Sequence, residues 1–159
     1  MPKTNPNDPM PWKDLTITLI VVSCEAMTSN IITPFVTDMV TNRFGISQNL
    51  VGVASGMLVG TFAFASFIAG FLLGHLSDKY GRKWPMILGL STGIICTLWF
   101  AISKNFWSAM AARFVAGATN ANIGITKAVI SDLTTGDNRS VAYVYQGATF
   151  AGMFVLLLH

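Results

Sequence analysis

Hydrophobic residues run along this chain in five long blocks separated by short polar breaks. The first block, about 15–40, is interrupted by Glu25 and Pro34. The second and third, 50–73 and 84–103, carry no charge. The fourth, 106–131, holds Arg113 and Lys127, and the fifth, 140–158, is again uncharged. Each is long enough, or nearly so, to cross a hydrocarbon layer as a helix of about 20 residues. A helix satisfies its own backbone hydrogen bonds, which lipid cannot do. No inside/outside alternation over ten-residue stretches supports membrane strands. The predicted fold is therefore an all-α integral membrane bundle over 15–159. It has four full transmembrane helices plus a nearly complete fifth, behind a flexible polar leader, 1–14, that holds four of the six prolines.

Composition narrows the picture further. Hydrophobic residues make up 52% of the chain and charged ones 11%, against about 25% charged in a soluble domain. That excludes an ordinary soluble globule and a disordered tail, which needs the opposite balance. A net charge of +3 without a basic, aromatic-interleaved face gives no reason to expect a nucleic-acid partner. Cys24 and Cys96 both lie in apolar runs and read as small buried hydrophobes. There is no metal-ligand cluster, no cofactor motif, no nucleophile elbow and no P-loop, so neither an enzyme nor a metal site is expected.

Loop charges orient the bundle. With the N-terminus in the cytoplasm, Lys3, Lys13, Lys79, Arg82, Lys83 and Arg139 fall inside, and Arg43 and Lys104 outside, as the positive-inside rule requires. Trp12 and Trp84 then mark the inner interface, and Trp99 and Trp107 the outer one. The triplet Asn138-Arg139-Ser140 lies inside and reads as chance. Gly52, Gly56 and Gly60, then Gly70 and Gly74, and Gly89 and Gly93, recur at four-residue steps. That spacing suits close helix packing, or a face that slides on a neighbour. Pro34 is expected to kink the first helix.

The segment from Gly74 to Lys83 reads GHLSDKYGRK. A tight loop needs glycines that accept unusual backbone angles, and a carboxylate beside cations can exchange ion pairs. This segment resembles the signature loop of the major facilitator superfamily, G-x-L-x-D-[RK]-x-G-R-[RK], at Gly74, Leu76, Asp78, Lys79, Gly81, Arg82 and Lys83. Asn105 to Phe114 followed by Gly117 is similar to that family's fourth-helix R-x-x-x-G element. Asp132 and Arg139 stand where relatives place an acid at the inner end of helix 4 and an Arg at the start of helix 5. The spacing from Glu25 to Pro34 is similar to that of drug:proton antiporters. The stretch 105–139 looks most like zinc-induced-facilitator-like and tetracycline-type members, with Asn120-Ala121-Asn122 where many of them have Gly-Asn-Gly. The resemblance implies two rocking bundles and a cytoplasmic gate made by the loop motif with Asp132 and Arg139.

Ionisable groups inside a bilayer cost about 2.5–3.5 kcal/mol each on insertion scales and need a partner or a wet cavity. Glu25 and Arg113 fall at similar depths, close enough to pair. Arg113, Gly117, Asn120, Gly124, Lys127 and Ser131 are spaced to form one small, polar stripe, and Thr18, Glu25 and Ser29 form a similar face. In the resembled family both helices line the central cavity, so Glu25, Arg113, Asn120 and Lys127 are the candidate cavity residues. Two roles are open for Glu25: a proton carrier, because burial disfavours a charged carboxylate, or a structural ion pair. Lys127 either snorkels to the interface or touches substrate.

The resemblance implies a secondary transporter, with proton-coupled antiport of a small organic solute or drug by alternating access. Its partners would be that solute, protons and the bilayer, with no cofactor. The alternative is a non-transporting membrane fragment or a regulatory partner of a full-length relative. The last block runs to His159 without a charged stop, so a truncated product is expected, lacking the C-terminal half that alternating access needs.

Overall fold

The computed structural model describes residues 10–134 and 136–158. All regular structure among them is helical. The elements are α1 (Trp12–Asn30), α2 (Thr33–Asp38), a π turn (Met39–Arg43), a 3-10 turn (Gln48–Leu50), α3 (Val51–Tyr80), α4 (Lys83–Ile102), α5 (Phe106–Ala118), α6 (Asn122–Leu133) and α7 (Asp137–Leu158). Most of the expected leader lies outside the described residues, and helix already begins at Trp12.

Among the described residues three stretches are long and apolar enough to cross a membrane: Trp12–Arg43, Gln48–Tyr80 and Lys83–Ile102. Their apolar surface is mostly not used within the chain. Only 17% of the most apolar window of Gln48–Tyr80 is buried, and Phe64, Phe67 and Phe71 stand exposed along α3. Exposed apolar area on this scale requires lipid or another protein to cover it.

The block boundaries shift for identifiable reasons. Pro34 lacks an N–H and its ring crowds the carbonyl four residues back; α1 accordingly stops at Asn30 and α2 restarts with the proline in its first turn. The second block extends to Tyr80, so most of the expected tight loop is helix. Gly74 lies inside α3, and only Gly81, at φ +92°, makes the turn that needs glycine. The fourth block is not one continuous helix. Backbone helix is lost over Thr119–Ala121, leaving α5 with 13 residues and α6 with 12, each too short to cross by itself. The fifth block falls on α7, which starts at Asp137.

At one end of the bundle, Ile32, Val36 and Val40 pack with Leu58, Phe100 and Ala112 from α3, α4 and α5. Arg43 Nη1 donates to the Ala101 carbonyl at 2.6 Å, tying the π turn to the end of α4. At the other end Leu15, Ile130 and Ala142 join α1, α6 and α7, and Trp12 packs edge-on against Tyr145. The cations Lys79, Arg82 and Lys83 share this second end with the C-terminus of α6, because Arg82 Nη2 reaches Asp132 Oδ2 at 2.8 Å.

The glycine steps divide into two kinds. Gly89 and Gly93 meet Asn122 and Thr28, so α4 is in close contact there. Gly52, Gly56, Gly60, Gly70 and Gly74 have nothing within 4 Å of where a Cβ would stand, so the α3 steps pack against nothing among the described residues. Cys96 is buried as expected, whereas Cys24 is exposed on the side of α1 that also shows Ile17, Ile20 and Met27.

Candidate functional site

Thr119-Asn120-Ala121-Asn122 interrupts the helical ladder because its side chains compete for backbone groups. The Thr119 hydroxyl donates to the Val115 and Ala116 carbonyls. Asn120 Oδ1 accepts from the Asn122 N–H at 3.3 Å, at the start of α6. Both asparagine amides then turn toward α1. Asn120 Nδ2 donates to Glu25 Oε1, Asn122 Nδ2 donates to Glu25 Oε2 at 2.9 Å, and Ser29 Oγ donates to Glu25 Oε1 at 3.3 Å. Glu25 is 3% exposed and Asn122 0%. The buried acid thus accepts three hydrogen bonds, from two amides and a hydroxyl, on its roughly four acceptor sites.

The Glu25–Arg113 ion pair, one of the two roles open for the acid, is not formed. Among the described residues Glu25 makes no contact with a cation within 4.0 Å. Arg113, 4% exposed, lies 4.6 Å over the Phe62 ring and 5.9 Å from that of Phe100, with Nε 3.5 Å from the Leu58 carbonyl. The rings face the cation with their negative quadrupole and take the place of a counter-ion. Gly117, one turn along, makes this possible: a Cβ there would meet the Phe62 carbonyl, and would stand 2.8 Å from Ala65 Cβ. Glu25 and Arg113 do line one narrow cleft, with Thr97 and Asn120, of about 10 Å³, which is room for a single water.

The stripe predicted along the fourth helix does not run as one face. Arg113 and Gly117 are buried against α3, while Gly124 and Lys127 are exposed beyond the break. Lys127 lines a separate, open pocket of about 620 Å³ between α1, α6 and α7, with Tyr143 and Gln146. Thr18 is buried but bonds its own helix, at the Asp14 carbonyl.

The loop residues form a second polar cluster. Arg82 Nη2 lies 3.6 Å from Asp78 Oδ1 and 2.8 Å from Asp132 Oδ2. Arg82 is 19% exposed, Asp132 39% and Asp78 70%, so the contact with Asp132 is the more enclosed. Among the described side chains Arg139 is paired to no acid. Its Nη2 and Nε donate to the Ser131 and Thr134 carbonyls at 2.8 and 3.2 Å, where a cation complements the C-terminal end of α6. Lys79 rests over the Tyr80 ring, and Leu76 and Lys83 are exposed. Among the described residues no three His, Cys, Asp or Glu side chains gather as a metal site would need.

A charged turn between two apolar spans, in a bundle that also buries an acid, is the context that the loop motif requires. Residues 18–158 match the Major Facilitator Superfamily. The chain belongs to that superfamily. Its relatives include a multidrug transporter of Aspergillus fumigatus, 32% identical over 79% of this chain and 21% of the relative. A class H tetracycline resistance protein of Pasteurella multocida is 30% identical over 87% of this chain and 34% of that protein. Zinc Induced Facilitator 1 of Arabidopsis thaliana is 27% identical over 83% and 27%. The chain thus spans about a fifth to a third of the length of these major facilitator relatives. It matches no solved structure. The resemblance read from the loop motif and from 105–139 is borne out, and the chain is an integral membrane protein of this superfamily.

Sequence reasoning missed Asn122, seen only as a departure from Gly-Asn-Gly, and it missed Gln146, which is 6% exposed and donates to Thr126 Oγ1 at 3.0 Å. Both are amides inside apolar runs, a signal as strong as the charges that were followed.

Proposed function

We propose that this chain forms part of a proton-coupled antiporter for a small organic solute or drug, with Glu25 as the proton carrier. The observation that carries the reading is the buried Glu25 carboxyl, held by neutral donors without a paired cation. A fixed ion pair would lock one charge state; amides accommodate two. Asn122 Oδ1 is a buried acceptor without a partner among the described residues. A protonated Glu25 can donate to that oxygen once the amide turns over, because the two amide ends differ only in which is donor and which acceptor. The charged acid accepts from Nδ2, and the neutral acid donates to Oδ1.

Alternating access needs a second bundle to rock against this one, supplied by the same polypeptide or by a relative. The turn at Gly81, with Arg82 between Asp78 and Asp132, is the inner gate in this reading, on the cytoplasmic side with the N-terminus. The drug and tetracycline relatives support the solute class. Glu25→Gln in the full transporter should abolish proton-driven uptake into vesicles at near-normal expression. Undiminished coupled uptake by that variant would remove Glu25 from the mechanism.

A further inference from the structure

We infer that the open pocket between α1, α6 and α7 binds an amphipathic aromatic carboxylate, its anionic head on Lys127. The inference deepens the antiporter reading, on which its role as substrate site rests, but binding is measurable without transport. The cavity of about 620 Å³ falls within the roughly 300–1,000 Å³ of small-molecule sites, unlike the one-water cleft at Glu25. Val22, Ile123 and Phe150 make its apolar wall, and Tyr143 adds a second ring.

Lys127 is the charged side chain among the described residues of the lining, and no carboxylate joins it there. Among the described residues its ammonium makes no ion pair or hydrogen bond; only its backbone carbonyl is used, accepting from Tyr143 Oη at 3.2 Å. The Tyr143 hydroxyl fixes that ring at the cationic end of the pocket. Glu25 does not supply the missing charge: it lines a separate cleft and makes no ion pair with Lys127 among the described residues. Lys127 stands six residues before the end of α6 at Leu133, roughly 9 Å in from that end. An ammonium at such depth without a counter-charge is costly. An anion with an aromatic body would supply the charge and fill the apolar wall together. A neutral drug would leave the ammonium bare, and a cation would be repelled.

The test places the chain in phosphatidylcholine nanodiscs and measures equilibrium binding of 2-naphthoate and its neutral isostere 2-naphthamide, with empty nanodiscs subtracting partition. Naphthoate should bind and naphthamide should bind far more weakly. Lys127→Gln should weaken naphthoate by roughly tenfold or more, the loss expected for one charged hydrogen bond, and leave naphthamide unchanged. Lys127→Arg should keep naphthoate binding, which excludes misfolding as the cause. Equal binding of the two ligands, or no effect of Lys127→Gln, would overturn the inference and leave Lys127 as a snorkelling side chain. Displacement of naphthoate by phosphatidylglycerol, lost in Lys127→Gln, would overturn it in favour of a lipid headgroup. Specific naphthoate binding alongside undiminished coupled uptake by Glu25→Gln would sink the proton-carrier reading and leave this one standing.

Discussion

Gly89→Ala tests the geometry around the buried acid without touching the acid. A Cβ on Gly89 would stand 2.7 Å from Asn122 Nδ2, 2.8 Å from Oδ1 and 3.0 Å from Cγ. Asn122 is fully buried, so its amide has no open space to swing into. Making room means releasing Glu25 Oε2, now 2.9 Å away. A hydrogen bond to a charged group contributes about 1.5–3 kcal/mol, and tolerating the overlap instead costs about 1–3 kcal/mol. Either route destabilises the chain by about 2 kcal/mol. The assay is SDS-titrated unfolding in mixed micelles, followed by tryptophan fluorescence. In an Asn122→Ala background the obstructing amide is gone, and Ala is a better helix former than Gly by up to about 1 kcal/mol. There Gly89→Ala should be neutral or stabilising, giving a coupling of about 2 kcal/mol between the sites. Equal costs in the two backgrounds would show that Gly89 does not make room for Asn122.

The same assay separates the two kinds of glycine: Gly117→Ala meets the Phe62 backbone and Ala65 and should cost about 3 kcal/mol. Gly60→Ala meets nothing among the described residues and should stabilise the chain by up to about 1 kcal/mol. Arg113→Lys should cost about 1–2 kcal/mol, because a compact ammonium cannot lie flat on Phe62 as a guanidinium does; an unchanged midpoint would show that the stacking is incidental. Asp132→Asn should lower stability by less than about 1 kcal/mol, since half-exposed pairs contribute little, yet impair transport in the full protein; Asp78→Asn should leave the unfolding midpoint unchanged. Loss of folding in Asp132→Asn would mark the pair as structural instead.

The first three blocks of apolar residues fall on the three described stretches long and apolar enough to cross a membrane, because length and composition decide what lipid accepts. The fourth block could not locate the break at Thr119–Ala121. Thr and Asn in an apolar run are compatible with a continuous helix that bonds its own carbonyls. Only the neighbouring Glu25 makes it favourable for Asn120 and Asn122 to turn their amides outward. The Glu25–Arg113 pair was a fair reading of depth, but depth ignores rotation about each helix axis. Arg113 points at α3, where Gly117 lets Phe62 come close enough to hold it. The loop motif was legible in identity and less so in shape. Its residues contact as the acid and cations suggest at Asp78, Arg82 and Asp132, but Arg139 goes to backbone carbonyls that no charge count predicts.

The broken helix changes what the separate charges can do. Asn120 uses both ends of its amide, accepting from the first N–H of α6 and donating to Glu25. The start of α6 is thereby tied to the charge on that acid. Ten residues further along, the same helix carries Asp132 against Arg82, about 15 Å away at 1.5 Å per residue. A continuous helix from 106 to 131 would have spread any shift at Glu25 over its whole length. A short rod free at Asn120 can pass it to the charged turn with little internal distortion. Lys127 stands halfway along that rod, facing the open pocket. Asn122 on the acid, Lys127 in the pocket and Asp132 on Arg82 thus share one helix of 12 residues, which in the proposed reading links a proton on Glu25 to the solute and to the gate.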